Sequence, residues 1–150
     1  MGGQSMTLRR LLRASAEEVF DAWLDADGMS AWMCPGLVTN CEVTLEPHVG
    51  GHFHIVMKAP GIELRNTGEF LVLERPAKLQ FTWISSRWGH EETLVTIDLH
   101  QRESQCELVL THERFPKERS LEELEKGWNQ IVQKLGNFLA TAYERPENSR

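Results

Sequence analysis

The chain has 150 residues, 41% of them hydrophobic and 25% charged, and 16 Lys plus Arg against 22 Asp plus Glu leave a formal charge of −6 at pH 7. That length suits a single domain able to bury about 70% of the surface its unfolded chain exposes, and the composition is that of a globule rather than a disordered or fibrous chain. The acidic balance argues against nucleic acid as a partner, because binding its backbone needs clustered Lys and Arg.

Cys34, Cys41 and Cys106 form no CxxC pair and are odd in number, which points away from a disulfide framework or a zinc site and towards a reducing, cytoplasmic setting. No apolar run approaches the roughly 20 residues of a membrane-spanning helix, and the N-terminus lacks the apolar segment of a signal peptide. The opening Met1-Gly2-Gly3-Gln4-Ser5 suggests myristoylation of Gly2, but Met6 stands where that motif wants Ser or Thr.

Thr7 to Arg13 alternates and reads as a first strand. Ser15-Ala16-Glu17-Glu18 is a capping box ahead of Val19, Phe20, Trp23 and Leu24 at helical spacing, which predicts a short helix to about Ala26, broken by Asp27-Gly28. Met29 to Met33 adds a further helical turn or two before Cys34-Pro35-Gly36 stops it. From Thr39 to Arg114 the period becomes 2. Cys41, Val43 and Leu45, then Phe53, Ile55 and Met57, then the run Gly68 to Leu73 follow, with turns at Gly50-Gly51, Pro60-Gly61 and Arg75-Pro76. Leu79, Phe81 and Trp83, then Val95, Ile97 and Leu99, then Leu108, Leu110 and His112 complete six short strands, apolar on one face. Leu121, Leu124, Trp128, Ile131, Leu135, Phe138 and Ala142 then form an apolar stripe at alternating spacings of three and four, a helix of about 22 residues capped by Ser120. Gly127 and Gly136 each weaken it by about 1 kcal/mol relative to Ala, so close approach of backbone or ligand is the expected reason for them. The tail from Glu144 is expected to fray. The predicted class is α+β: a curved antiparallel sheet wrapped around a long C-terminal helix, with two short helices after the first strand.

Val19-Phe20-Asp21-Ala22-Trp23, Trp32-Met33-Cys34-Pro35, Val49-Gly50-Gly51-His52-Phe53, Gly68-Glu69-Phe70, Glu74-Arg75-Pro76 through Trp83, Leu110-Thr111-His112-Glu113-Arg114-Phe115 and the Gly127-Trp128 helix occur in an order that resembles the START-like (SRPBCC) superfamily. The branch they resemble is the one named for activators of the 90-kDa heat-shock-protein ATPase. The resemblance runs from about Thr7 to Ala142 within one domain spanning 1–150, and departs from the branch at Met33, Cys34 and His48. It implies the helix-grip fold with a hydrophobic cavity between sheet and long helix, and a membership ranging from lipid or small-molecule binders to cyclases and chaperone partners.

Trp32, Phe53, Ile55, Met57, Phe81, Trp83, Trp128, Ile131 and Leu135 fall on faces turned to that space, where they either line an apolar ligand site or fill a core. His112 shares the face of Leu108 and Leu110. It either serves as ligand anchor or acid–base group, the weak candidate for catalysis, or is a hydrogen-bonded core histidine. Trp88, beside Gly89-His90, is expected at the rim or in a loop, where it could serve as a lid, and Trp23 is expected to pack the first helix. Met29, Met33 and Met57 read as core fillers. Glu69 and Glu74 are carboxylates with no spacing that pairs them, and Glu113 should face outward. His52 and His54 share a strand face, but it is the face opposite Phe53 and Ile55 and so the solvent side, with no third ligand near; no metal is expected. No nucleophile elbow, phosphate loop or cofactor motif is present, and Cys34 follows a helix rather than opening one. The leading expectation is a non-enzymatic binder of a hydrophobic small molecule or lipid, monomeric or weakly dimeric. The alternatives are a chaperone-interacting, stress-response module and a cyclase- or hydrolase-like enzyme using His112.

Overall fold

The computed structural model describes residues 3–148, with side chains described as far as Thr141. β1 (Gln4–Leu12) leads into α1 (Ala16–Ala22) and α2 (Ala26–Trp32). Six strands follow: β2 (Asn40–Leu45), β3 (His52–Ala59), β4 (Ile62–Glu74), β5 (Lys78–Ser85), β6 (Glu92–Arg102) and β7 (Gln105–Phe115), with one 3-10 turn at Ser86–Trp88 between β5 and β6. α3 (Leu121–Asn148) closes the chain. All seven strands form one antiparallel sheet in the order β1-β7-β6-β5-β4-β3-β2, so the chain's first strand closes the meander beside its last. The sheet and α3 make the α+β helix-grip arrangement.

β1 lies earlier at both ends than the Thr7–Arg13 reading, because β7 supplies partners from Gln4, opposite Phe115, to Leu12, opposite Cys106. The capping box forms: Glu18 N–H donates to Ser15 Oγ at 3.1 Å and Ser15 N–H to Glu18 Oε1 at 2.8 Å. α1 nevertheless ends at Ala22, not near Ala26, and Asp27-Gly28 lies inside α2 instead of breaking the helix. Asp25 is the reason, since its carboxylate accepts from Gly28 N–H at 3.2 Å and starts a new helix there; such a cap is worth about 1 kcal/mol, enough to offset a glycine in the first turn.

The inward-facing alternation holds through β3, β5, β6 and β7. The outer face is less exposed at its centre than a one-sided sheet requires, with Thr82, Leu94, Thr96 and Val109 all buried there. Gly61, with φ +75°, turns β3 into β4. Gly68 answers a different need: it sits opposite Phe53, and a Cβ there would stand 2.0 Å from the Thr82 carbonyl oxygen and 2.4 Å from the Phe53 ring.

α3 is 28 residues long, not about 22, and continues through Asn148, past the start of the expected frayed tail. Ser120 caps it, accepting from Glu123 N–H at 3.1 Å. Leu124, Trp128, Ile131 and Leu135 are buried as the stripe required, Leu121 and Phe138 are partly so, and Val132 and Leu139 widen it. The side chain of Ala142, the last member of the expected stripe, lies outside the described residues. No helix among the described residues is long and apolar enough to cross a membrane.

Candidate functional site

The space between sheet and α3 is occupied at its centre by aromatic rings. Trp23 does more than pack α1: it meets Trp32 edge to face at 4.9 Å and approaches Phe81 at 6.2 Å and Trp128 at 6.3 Å. Phe53 packs on Phe81 at 5.4 Å and Trp83 at 5.7 Å, and Trp83 meets Trp128 at 5.3 Å. Phe53, Ile55, Phe81 and Trp83 border with Trp23 a void of only about 10 Å³, the room of a single water. Trp32, His112 and Leu135 are fully buried and line none of the concavities described below.

His112 sits in a directed chain of hydrogen bonds. The Trp128 indole N–H can only donate, so His112 Nδ1 accepts from it at 2.9 Å. The proton of the neutral ring is thereby assigned to Nε2, which donates to Thr93 Oγ1 at 2.7 Å, and the Thr93 hydroxyl donates in turn to the Trp83 carbonyl at 2.6 Å. Burial pulls the imidazole pKa down to about 3, so the ring is neutral at physiological pH. Both ring nitrogens are engaged, and Trp88 and Phe115 stack around the ring at 5.8 and 5.9 Å.

Open space begins towards the N-terminal half of α3. Met57, Leu64 and Trp83 from the sheet face Leu124, Gly127, Trp128 and Ile131 from the helix across a cleft of about 70 Å³, with Asn66 and Ser85 at its polar end. The cleft opens into a groove of about 820 Å³, with which it shares Pro35, Leu64, Arg87, Glu123 and Gly127. Leu37, Val38, Ala59, Pro60 and Ile62 form the groove's outer walls, and Leu37 is 81% and Ile62 55% exposed. The wall contributed by the α2–β2 loop is pinned to the helix: Gly36 N–H donates to Gln130 Oε1 at 2.8 Å, and Lys134 donates to the Cys34 carbonyl. Outside its own helix, the nearest atom to where a Gly127 side chain would begin is Pro35 Cβ at 4.0 Å, so a side chain there would project into the passage between cleft and groove. Gly136 has no such role, since a Cβ there would make ordinary contact with Leu12 at 3.4 Å.

Arg87 and Glu123 pair across the mouth at 3.3 Å, linking the 3-10 turn to α3. Ser85 Oγ and Ser86 Oγ fix that turn, accepting from Arg87 N–H at 3.1 Å and Arg65 N–H at 3.0 Å. Trp88 is half-buried there and, with the ion pair, separates the cleft from a second hollow of about 70 Å³ lined by Phe115, Arg119 and Ser120.

Of the residues expected at a ligand site, the structure therefore brings Met57, Trp83, Trp128 and Ile131 to the cleft and leaves Phe53, Ile55 and Phe81 around the inner void. Trp88, expected at the rim, lines the cleft too, and Pro35, Leu64, Asn66, Ser85, Arg87, Glu123 and Leu124, none of them singled out for it, complete it together with Gly127. Only Gly127 carried a signal, as a glycine inside a strong helical stripe.

The remaining candidates stand elsewhere. His52 and His54 are exposed, His52 lying 3.9 Å from Glu46 and 4.0 Å from Glu69, and Glu74 is exposed. Among the described residues no three His, Cys, Asp or Glu side chains converge as metal ligands would. All three thiols are free and buried; burial, reinforced by the neighbouring Cys34, pushes Cys41 up to about 12, and burial pushes Cys106 up to about 11.

The same fold occurs in solved structures at low identity. A protein of Chromobacterium violaceum is 23% identical over 90% of this chain and 96% of that chain, with a TM-score of 0.81. One from Nitrosomonas europaea is 21% identical over 93% and 96%, with a TM-score of 0.76. A Plasmodium falciparum protein described as an HSP90 activator is 22% identical over 92% and 97%, with a TM-score of 0.74. No curated protein matches the chain significantly. The model of one family matches residues 13–140, most of the chain, which therefore belongs to the family described as activator of Hsp90 ATPase homolog 1-like protein.

Proposed function

We propose that the protein binds a small hydrophobic molecule, non-catalytically, in the cleft between the sheet and α3, with the larger part of the ligand in the adjoining groove. The observation that carries this reading is the continuity of the cleft, walled by Met57, Trp83, Trp128 and Ile131, with a groove large enough for an ordinary ligand, for which about 300–1,000 Å³ is typical. His112 supports binding over acid–base chemistry, since a neutral ring with both nitrogens bonded has no lone pair or proton to spare. Family membership supports a hydrophobic ligand, and three unpaired thiols support a reducing, cytoplasmic location. Organic extraction and mass spectrometry of the purified protein, with a thermal-shift panel of lipids and aromatic compounds, test it. A co-purifying hydrophobe or a saturable stabilisation is expected; no extractable compound and no shift across the panel would overturn it.

A chaperone-directed role is the second reading, favoured by the exposed Leu37 and Ile62 on the groove wall together with the family. It predicts that the protein stimulates a heat-shock-protein-90 ATPase and that Leu37→Ser with Ile62→Ser abolishes the effect. Unchanged ATP turnover with wild-type protein disposes of it.

A further inference from the structure

The inner face of β4 and β5 carries Leu64, Gly68, Phe70, Leu79, Phe81 and Trp83, and among them two polar residues, Asn66 and Ser85. These two stand opposite each other in the pairing of the strands, and both line the cleft while only 4% and 2% exposed. The orientation of the Asn66 carboxamide is fixed by its neighbour. The Ile55 carbonyl can only accept, so the group that meets it at 3.1 Å is the amide nitrogen, and the oxygen is left over. That oxygen receives no hydrogen bond among the described residues. Nor is it sealed: the unpartnered side-chain atoms shut off from solvent there are the indole nitrogens of Trp23, Trp32 and Trp83. The Asn66 oxygen therefore keeps access to open space, and the concavity that Asn66 borders is the cleft. Ser85 Oγ accepts from Arg87 N–H, and its own proton has no acceptor among the described residues. The polar end of the cleft thus sets an uncommitted acceptor beside an uncommitted hydroxyl proton, where polar groups this deeply buried are nearly always satisfied.

We infer that the ligand of this cleft leads with a hydroxyl group on an otherwise apolar body, and that the Asn66 carboxamide oxygen accepts its proton. A single hydroxyl oxygen answers both neighbours, donating to Asn66 and accepting from Ser85. The inference rests on the binding reading above and adds the chemistry of the end that enters first. Hydrophobes are ranked by that end. An alcohol or phenol satisfies both groups. A ketone, ester or carboxylate sets oxygen against oxygen at Asn66, and a hydrocarbon strips the carboxamide of water and returns nothing.

Benzyl alcohol, benzaldehyde and ethylbenzene share a ring and a two-atom arm, and differ in whether the arm offers a donor, an acceptor alone, or neither. Each is titrated into the full wild-type chain and into Asn66→Leu, which replaces the carboxamide by methyl groups of the same branching, with binding followed by heteronuclear NMR. In the wild-type chain benzyl alcohol is expected to bind about tenfold tighter than benzaldehyde, the ratio that about 1.4 kcal/mol of net hydrogen bonding gives. Its methylene protons should show through-space contacts to the Asn66 amide protons. In Asn66→Leu the tenfold preference disappears while ethylbenzene still binds; taking the ratio in both proteins cancels the different hydration of the ligands. The wild-type ratio and contacts stand if the variant fails to fold. Equal affinities in the wild-type chain, contacts that avoid Asn66, or a preference that survives in Asn66→Leu overturn the inference and leave the hydrophobic site intact. Binding of a larger panel compound when none of the three binds has the same meaning. Failure of all three to bind, together with a silent thermal-shift panel, overturns both.

Discussion

His112 makes the stability of the fold depend on pH in a way that one substitution isolates. In the unfolded chain an imidazole titrates near its ordinary value of 6.5, whereas in the folded chain burial lowers the pKa to about 3. Above pH 6.5 the ring is neutral in both states and contributes no pH dependence. Below it the unfolded chain takes up a proton that the folded chain refuses, so stability falls as pH falls, by up to about 1.4 kcal/mol per unit. Between pH 6.5 and pH 5 this approaches about 2 kcal/mol, a large share of the 5–15 kcal/mol typical of a domain. His112→Gln removes the titration and keeps the bonding pattern, since the amide oxygen can accept from Trp128 and the amide nitrogen can donate to Thr93. Urea unfolding of both proteins at several pH values from 7.5 to 5 gives the comparison. The wild-type protein is expected to lose about 2 kcal/mol more than the variant over the lower interval, whatever their stabilities at pH 7.5. Asp21 and Glu107, held below the usual carboxylate range by hydrogen bonds from Arg75 and Arg102, lose stability in the same direction at lower pH, and they cancel in the difference. Parallel stability curves for the two proteins would refute a buried neutral His112.

Thr93→Val leaves the His112 Nε2 proton without an acceptor and is expected to cost about 1–3 kcal/mol, read as a lower urea midpoint at unchanged slope. Gly68→Ala drives a methyl into the Thr82 carbonyl and the Phe53 ring, so it should destabilise by at least about 1–3 kcal/mol; a melting temperature within a degree of wild type would contradict the contact. Gly127→Ala has the opposite sign. It should stabilise α3 by about 1 kcal/mol, raising the melting temperature by roughly 2–4 °C, while weakening any ligand of the cleft. Because burial holds the Cys41 and Cys106 thiols near 12 and 11, neither should react with a disulfide reagent at pH 8 until the chain is unfolded, and prompt titration of either in native protein would show that it is accessible.

The elements that sequence alone exposes are those whose burial is periodic. Strands β2 to β7 show one face to the helix and α3 shows one stripe to the sheet, so spacings of two and of three and four recover both without knowledge of what meets what. Periodicity does not say where a partner arrives. The limits of β1 depend on β7 more than 90 residues later, and the start of α2 on a single carboxylate competing with a glycine. The same limitation hides the acceptor of His112. Alternation turns His112 inward, but Thr93 lies two residues before the first apolar position of β6 that the pattern marks, and only the pairing of β6 with β5 and β7 sets it between Trp83 and the imidazole.

The distinction between filled core and open site is of the same kind. An identical run of aromatic and aliphatic side chains produces both, packing solidly around Trp23 and Phe81 and parting at Met57 and Ile131. What divides the two regions is where side chains are withheld. Gly127 supplies no Cβ at the point where α3 passes Pro35, and the α2–β2 loop, tied back to Gln130 and Lys134, is held against the helix as one wall instead of lying across the opening. Gly127 weakens a long helix by about 1 kcal/mol without any backbone crowding to require it, and it borders both cleft and groove, so a ligand of the proposed kind would enter beside the first turns of α3 rather than at the centre of the helix.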